Sequence, residues 1–279
     1  LAEPPGPIGH VSEITIPAKD ANISVRLYYP DAERALSPTK PFLPIVVYIH
    51  GGGWTLGTLD THDSVCRALA MEAGVIIASI DYRLAPEHPF PTPLQDCYDA
   101  LCWLAENAHS IKADGSKLII VGDSAGGNLA NSCCFMALDH NGPTIDYQVL
   151  IYPVIDITRF DRDSYKRYDE QFILKRSSMH AVSYCYAKTE ERINPYISPI
   201  LREELSGLPD TLLLAAELDI LFDEGKEYAE RLKQAGVSTE WINCKGMIHL
   251  FWGMKGLTRE ENGIAIVADR IRKRLFKGN

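Results

Sequence analysis

The chain has 279 residues, 46% of them hydrophobic and 23% charged, which suffices to bury a full core and excludes collagen-like and low-complexity classes. With 37 acidic against 28 basic residues the formal charge is −9, so nucleic acid and anionic membrane surfaces gain nothing by binding it. The seven cysteines, at 66, 97, 102, 133, 134, 185 and 244, are odd in number, form no C-x-x-C pair and sit among apolar neighbours, the pattern of reduced thiols in a cytoplasmic protein.

In chain order, residues 10–16 and 23–29 alternate in polarity and read as two strands joined by a turn at Lys19-Asp20-Ala21-Asn22. A Pro-punctuated loop follows, and then the pattern changes. Continuous apolar runs at 44–49, 75–80, 118–121, 149–152 and 212–216 suit strands buried on both faces of a parallel sheet. None approaches the 18 residues of a membrane span, and Leu1-Ala2-Glu3-Pro4-Pro5 does not read as a signal peptide. Helical stretches alternate with the strands at 64–73, 94–107, 125–138 and 223–235; in the second, Leu94, Cys97, Leu101 and Leu104 recur at helical spacing. A late strand at 239–244 precedes a last helix at 259–276, where Thr258 and Glu261 stand in capping-box spacing and Arg272-Lys273-Arg274 suit the negative end of the helix dipole.

Residues 157–197 break this rhythm. They separate two buried strands by far more than a usual loop, and Phe160, Tyr165, Tyr168, Phe172, Ile173, Leu174, Tyr184 and Tyr186 make them an inserted helical lid. The expectation is one α/β domain over 1–279, its sheet mostly parallel, with helices on both faces and 157–197 as lid or cap.

Gly122-Asp123-Ser124-Ala125-Gly126 matches G-x-S-x-G, a string that chance supplies in about one chain of this length in ten. Its setting is more specific. It follows the strand at 118–121 at once and opens a helix, so the serine falls in a tight, strained turn with its hydroxyl projecting from the sheet edge. A turn whose serine merely caps the helix is the competing reading. Upstream, His50-Gly51-Gly52-Gly53-Trp54 follows another buried strand and can aim backbone amides at developing negative charge. A dinucleotide site fails here, because Leu56 breaks G-x-G-x-x-G.

A serine nucleophile needs a base, and the base an orienting acid. His10, His62, His109, His140 and His180 read as surface or helix-end residues, His50 braces the Gly loop, and His88 sits in a Pro-rich stretch. His249 follows the late strand by a short loop and comes after the serine. Asp219 sits just past the strand 212–216; Asp223 reads as the cap of the next helix, and Glu217 is a weaker rival for the acid.

On these motifs the chain resembles the hormone-sensitive-lipase-like branch of the α/β-hydrolases. The likeness rests on 50–54, on Asp81-Tyr82-Arg83-Leu84-Ala85-Pro86-Glu87-His88-Pro89-Phe90-Pro91, on 122–130, on Asp219-Ile220-Leu221-Phe222-Asp223-Glu224-Gly225 and on His249, and spans roughly 10–275. It implies an α/β-hydrolase fold and a serine ester hydrolase working through an acyl-enzyme. Ser124 would be its nucleophile, His249 its base and Asp219 its acid, with the amides of Gly52, Gly53 and Ala125 as oxyanion donors.

Two departures stand out. The base is followed by Leu250-Phe251 where the family commonly has Gly-Phe, and nine residues before His10 imply a reduced lid or a trimmed chain. The expected partner is a small-molecule ester with a short acyl group, its acyl side crowded by Trp54, Phe251 and Trp252; a homodimer is compatible with the sequence. No metal or cofactor is expected, since H-E-x-x-H and clustered His/Cys spacings are lacking. A non-catalytic receptor of the same fold and an acyltransferase using the same triad are the alternatives.

Overall fold

The computed structural model describes residues 6–36, 40–254, 256 and 262–276. A hairpin of β1 (His10–Pro17) and β2 (Asn22–Tyr29) leads through the short α1 (Ala32–Leu36) to β3 (Leu43–Ile49). Strands and helices then alternate: α2 (Asp63–Ala73), β4 (Ile76–Asp81), α3 (Thr92–Asn107), β5 (Ala113–Asp123), α4 (Ala125–Asp139) and β6 (Tyr147–Ile151). After α5 (Asp163–Tyr168) and α6 (Arg176–Tyr186) come β7 (Asp210–Leu218), α7 (Phe222–Gln234), β8 (Thr239–Ile248) and α8 (Gly263–Leu275).

The eight strands form one sheet of order β1-β2-β4-β3-β5-β6-β7-β8, in which only β2 runs against its neighbours. Every residue of β3 is buried, because both faces of the sheet are covered. Val47 and Ile49 belong to the same core cluster as Leu101 of α3, Leu129 of α4 and Leu232 of α7. Val46 and Tyr48 point the other way, into the cluster that holds Leu69 of α2 and Ile271 of α8. Each such side chain contributes about 1.5–3 kcal/mol by burial, so the continuous apolar runs are the two-sided core seen in one dimension. The chain has the α/β-hydrolase architecture expected of it.

Differences from expectation lie where apolar runs stop. α1 occupies part of the expected loop. β5 begins at Ala113, but Gly115, Ser116 and Lys117 bulge out to solvent where its register with β3 shifts, so only its second half reads as a buried run. α8 starts at Gly263, capped by Asn262, whose side chain accepts from the amides of Ile264 at 2.9 Å and Ala265 at 3.2 Å. The expected capping residues Thr258 and Glu261 lie outside the described residues. All seven cysteines are free thiols, five of them buried and Cys102 and Cys185 partly so. No described helix is long and apolar enough to cross a membrane.

The long connection between β6 and β7 is helical and pinned at its roots. Asn128 of α4 donates to the carbonyls of Val154 and Ile197, one at each end of the segment. From α7, Asp223 accepts from the Ser164 amide at 2.7 Å, and Ser164 returns its hydroxyl to the Ile220 carbonyl.

Candidate active site

β5 ends at Asp123 and α4 starts at Ala125, so Ser124 must reverse the chain alone. It does so at φ 54 and ψ −119, a strained backbone for any residue with a Cβ. The reversal brings α4 against the end of β3, and a Cβ on Gly126 would run into the carbonyl oxygens of Ile49 and His50. Around the sheet's carboxyl edge, Trp54, Tyr152 and Leu250 share the positive φ of Ser124.

The loop after β3 comes to the same place. Gly52 has φ +121, open to glycine, and any Cβ there would strike the Leu56 carbonyl. That carbonyl side of the turn is closed by Gly52 itself, which accepts from the amides of Thr55 and Leu56. Among the described residues nothing accepts from the amides of Gly52 or Gly53. The Gly51 amide, by contrast, is held at 3.1 Å by Asp123, the residue before the serine.

Asp123 is a buried hub. It also accepts from the Tyr48 hydroxyl at 2.6 Å, and that hydroxyl in turn accepts from Trp252 Nε1 at 2.9 Å. Burial alone would raise its carboxyl pKa, but His62 facing it at 3.8 Å and the Tyr48 hydroxyl hold it below the ordinary value. Burial would lower His62, and the same carboxylate raises it instead. His62 therefore belongs to the wall behind the serine rather than to the surface. His50 braces the loop as expected: its ring stacks on Tyr82 at 4.3 Å, and burial lowers its pKa to about 4, which leaves it neutral.

β8 and the end of β7 supply the remaining groups. His249 Nε2 lies 3.0 Å from Ser124 Oγ, and His249 Nδ1 lies 2.6 Å from Asp219 Oδ2. All three side chains are buried, and Tyr152 packs against the imidazole with ring centroids 4.5 Å apart. The other oxygen of Asp219 accepts from the Leu221 amide, which fixes the carboxylate in its turn. Asp223 does not cap α7 with its side chain but binds Ser164, and Glu217 accepts from the Gly246 amide away from the histidine.

Ser124, His249, Gly52 and Gly53 floor a cavity of about 220 Å³. Its walls are apolar: Leu56, Val154, Ile173, Leu174, Met179, Val182 and Leu250, with Ser178. Trp54, Phe251 and Trp252 are not among them. Trp54 is buried in a parallel stack on Tyr186 at 4.4 Å, Phe251 packs edge-on to Tyr152, and Trp252 is spent on Tyr48. Sequence adjacency to the loop and the base put them near the site, but their side chains point into the core. The walls come from 157–197, from the buried Val154 and from Leu56 and Leu250, exposed apolar residues that only their exposure beside the serine singles out. Among the described residues no cluster of His, Cys, Asp and Glu could hold a metal ion.

Strand–elbow–helix, Gly loop and the hydrogen-bonded row Ser124–His249–Asp219 meet at one edge of an α/β-hydrolase sheet, and comparison with known proteins identifies the same fold. A family model described as alpha/beta hydrolase fold matches residues 46–253, and the chain belongs to that family, on its carboxylesterase branch. It is 40% identical over 232 residues to carboxylesterase NlhH of Mycobacterium tuberculosis, covering 82% of this chain and 70% of that one. It is 35% identical over 269 residues to an ethyl acetate hydrolase of Pseudomonas putida, covering 95% and 83%. Among solved structures, an esterase from Pyrobaculum calidifontis matches with a TM-score of 0.89 at 40% identity, over 96% of this chain and 86% of that one.

Proposed function

We propose that this carboxylesterase hydrolyses short-chain acyl esters of small-molecule alcohols through a covalent acyl-Ser124 intermediate. The observation that carries the reading is the hydrogen-bonded row Ser124–His249–Asp219 at the floor of an apolar cavity. His249 Nε2 takes the Ser124 hydroxyl proton as Oγ attacks the ester carbonyl carbon. The carbonyl oxygen becomes an oxyanion, for which the amides of Gly52, Gly53 and Ala125 are the donors; that of Ala125, first in its helix, has no intrahelical acceptor. Collapse breaks the bond to the alcohol oxygen, and His249 returns the proton to it. Water then attacks the acyl group by the same route in reverse, releasing the acid and restoring Ser124. Asp219 keeps the imidazole in the tautomer that leaves Nε2 free to accept.

The segment 157–197 acts as a lid, since Ile173, Leu174, Met179 and Val182 roof the serine. The cavity, about 220 Å³, is smaller than the ~300–1,000 Å³ of drug-sized ligand sites, which supports acyl groups of about two to six carbons. The Pseudomonas putida relative named for ethyl acetate points the same way. The free thiols support a cytoplasmic location. A chain-length series of p-nitrophenyl esters tests the reading. Expected is a kcat/KM maximum within that range, abolished in Ser124→Ala; a maximum at about ten carbons or more, or a rate jump above the substrate's solubility limit, would make it a lipase instead.

A further inference from the structure

The turn that presents the base has an anomaly. β8 ends at Ile248, and the Phe251 amide donates to the Ile248 carbonyl at 3.2 Å, closing a four-residue turn with His249 and Leu250 at its centre. Leu250, third in that turn, has φ 72. This is the position where such turns favour glycine, because a Cβ in the left-handed region crowds the backbone. Leucine holds it nonetheless, and not as a core residue: its side chain is 46% exposed. Strain retained without burial calls for another use of the side chain.

That use is visible in where it lies. Leu250 lines the cavity beside Ser124 and His249, and with Leu56 and Ile173, 69% and 61% exposed, it adds a third large apolar side chain to the cavity that is left open to solvent. The geometry points to Leu250 as a specificity-determining residue that limits the bulk of the leaving alcohol. The inference rests on the hydrolytic role of Ser124 and His249 proposed above. In that chemistry the imidazole hands its proton to the departing oxygen, so the alcohol must leave on the histidine's side. Leu250 follows the histidine in the chain and, like it, lines the cavity.

Two variants separate side-chain bulk from backbone strain. Leu250→Ala removes the wall and keeps a Cβ at positive φ; Leu250→Gly removes the wall and suits the turn. Both are assayed on acetates of ethyl, butyl and benzyl alcohol, and on p-nitrophenyl esters of increasing acyl length. Expected in both variants is a rise of about tenfold in the ratio of kcat/KM for benzyl over ethyl acetate, with the acyl-length profile unchanged. Leu250→Phe should lower the same ratio. The glycine variant should melt no lower than the alanine variant. An unchanged ratio in active variants, or a shift confined to the acyl series, would overturn the role of Leu250. A parent enzyme inactive on every ester would overturn the hydrolytic reading itself.

Discussion

The elbow around Ser124 and the segment 157–197 face each other across one cavity, yet they are held in place by different means. From Leu118 through Ala137 every residue is buried, and the turn is fixed by backbone contact: Gly126 lies against the carbonyls of Ile49 and His50. The segment opposite is tied at its roots by polar links to Asn128, Asp223 and Ile220 and by Arg162, which pairs with Asp156 at 2.7 Å and Glu227 at 3.1 Å, and along its length by buried side chains such as Tyr165, Met179 and Tyr186. It leaves Ile173, Tyr184 and Ile193 open to solvent. The reacting groups need atoms held within fractions of an ångström, whereas a substrate wall needs only shape. On the proposed reaction, the difference separates chemistry from selectivity in space.

Mutations can break or sharpen this contrast. The largest effects belong on the rigid side. Ser124→Ala and His249→Ala should each lower kcat by ~10⁴-fold or more, with the double variant little worse, because the row acts as a unit; multiplicative losses in steady-state assays would dissolve it. Asp219→Asn should cost about 10³–10⁴-fold by admitting the wrong imidazole tautomer. Asp223→Asn should cost less than about tenfold, since its partner is Ser164 and not the histidine. Reversal of that order would move the acid to Asp223.

Gly126→Ala tests the backbone contact. The added methyl has no room between α4 and β3, so a loss of ~2–3 kcal/mol is expected, seen as a lowered urea midpoint, together with lost turnover.

A titratable group lies where the two regions join. Glu224 of α7 is buried, and burial pushes its carboxyl up to about 8 although the amides of Ile155 and Asp156 donate to it. A raised carboxyl means the folded state keeps a proton that the unfolded chain sheds. Its contribution is fully present below the ordinary value of 4.5, declines as pH rises, and is gone above about 8. The change is on the order of a few kcal/mol. Glu224→Gln should lack that slope, so its urea midpoint should gain on the parent's between pH 5 and 9; parallel profiles would place no proton on Glu224. The smallest effect is expected at Tyr184, 80% exposed on α6, where Tyr184→Ser should change stability by less than about 0.5 kcal/mol and leave kcat/KM alone.

The same division explains what could be read in the sequence. The apolar runs at 44–49 and 212–216 mark β3 and β7 because burial on both faces leaves no choice of residue, and Ser124, Asp219 and His249 are legible because motif and chain order place them at strand ends. The first half of β5 was not, since Gly115–Lys117 bulge into water, and the α8 cap was not, since Asn262 carries no periodicity of its own. The cavity walls are not legible in the sequence for a different reason. Trp54, Phe251 and Trp252 flank site residues in sequence, but which way a side chain points at a strand end depends on positive-φ turns such as that at Leu250, which polarity patterns do not encode.

The most direct test of the Ser124 nucleophile is covalent trapping. The enzyme is treated with a fluorophosphonate, whose phosphorus serine attacks with loss of fluoride, and the product is mapped by peptide mass spectrometry. Expected is one adduct per chain, on the peptide holding Ser124, formed far more slowly in His249→Ala and absent in Ser124→Ala. An adduct on another residue, or a Ser124→Ala protein that keeps both labelling and turnover, would contradict it.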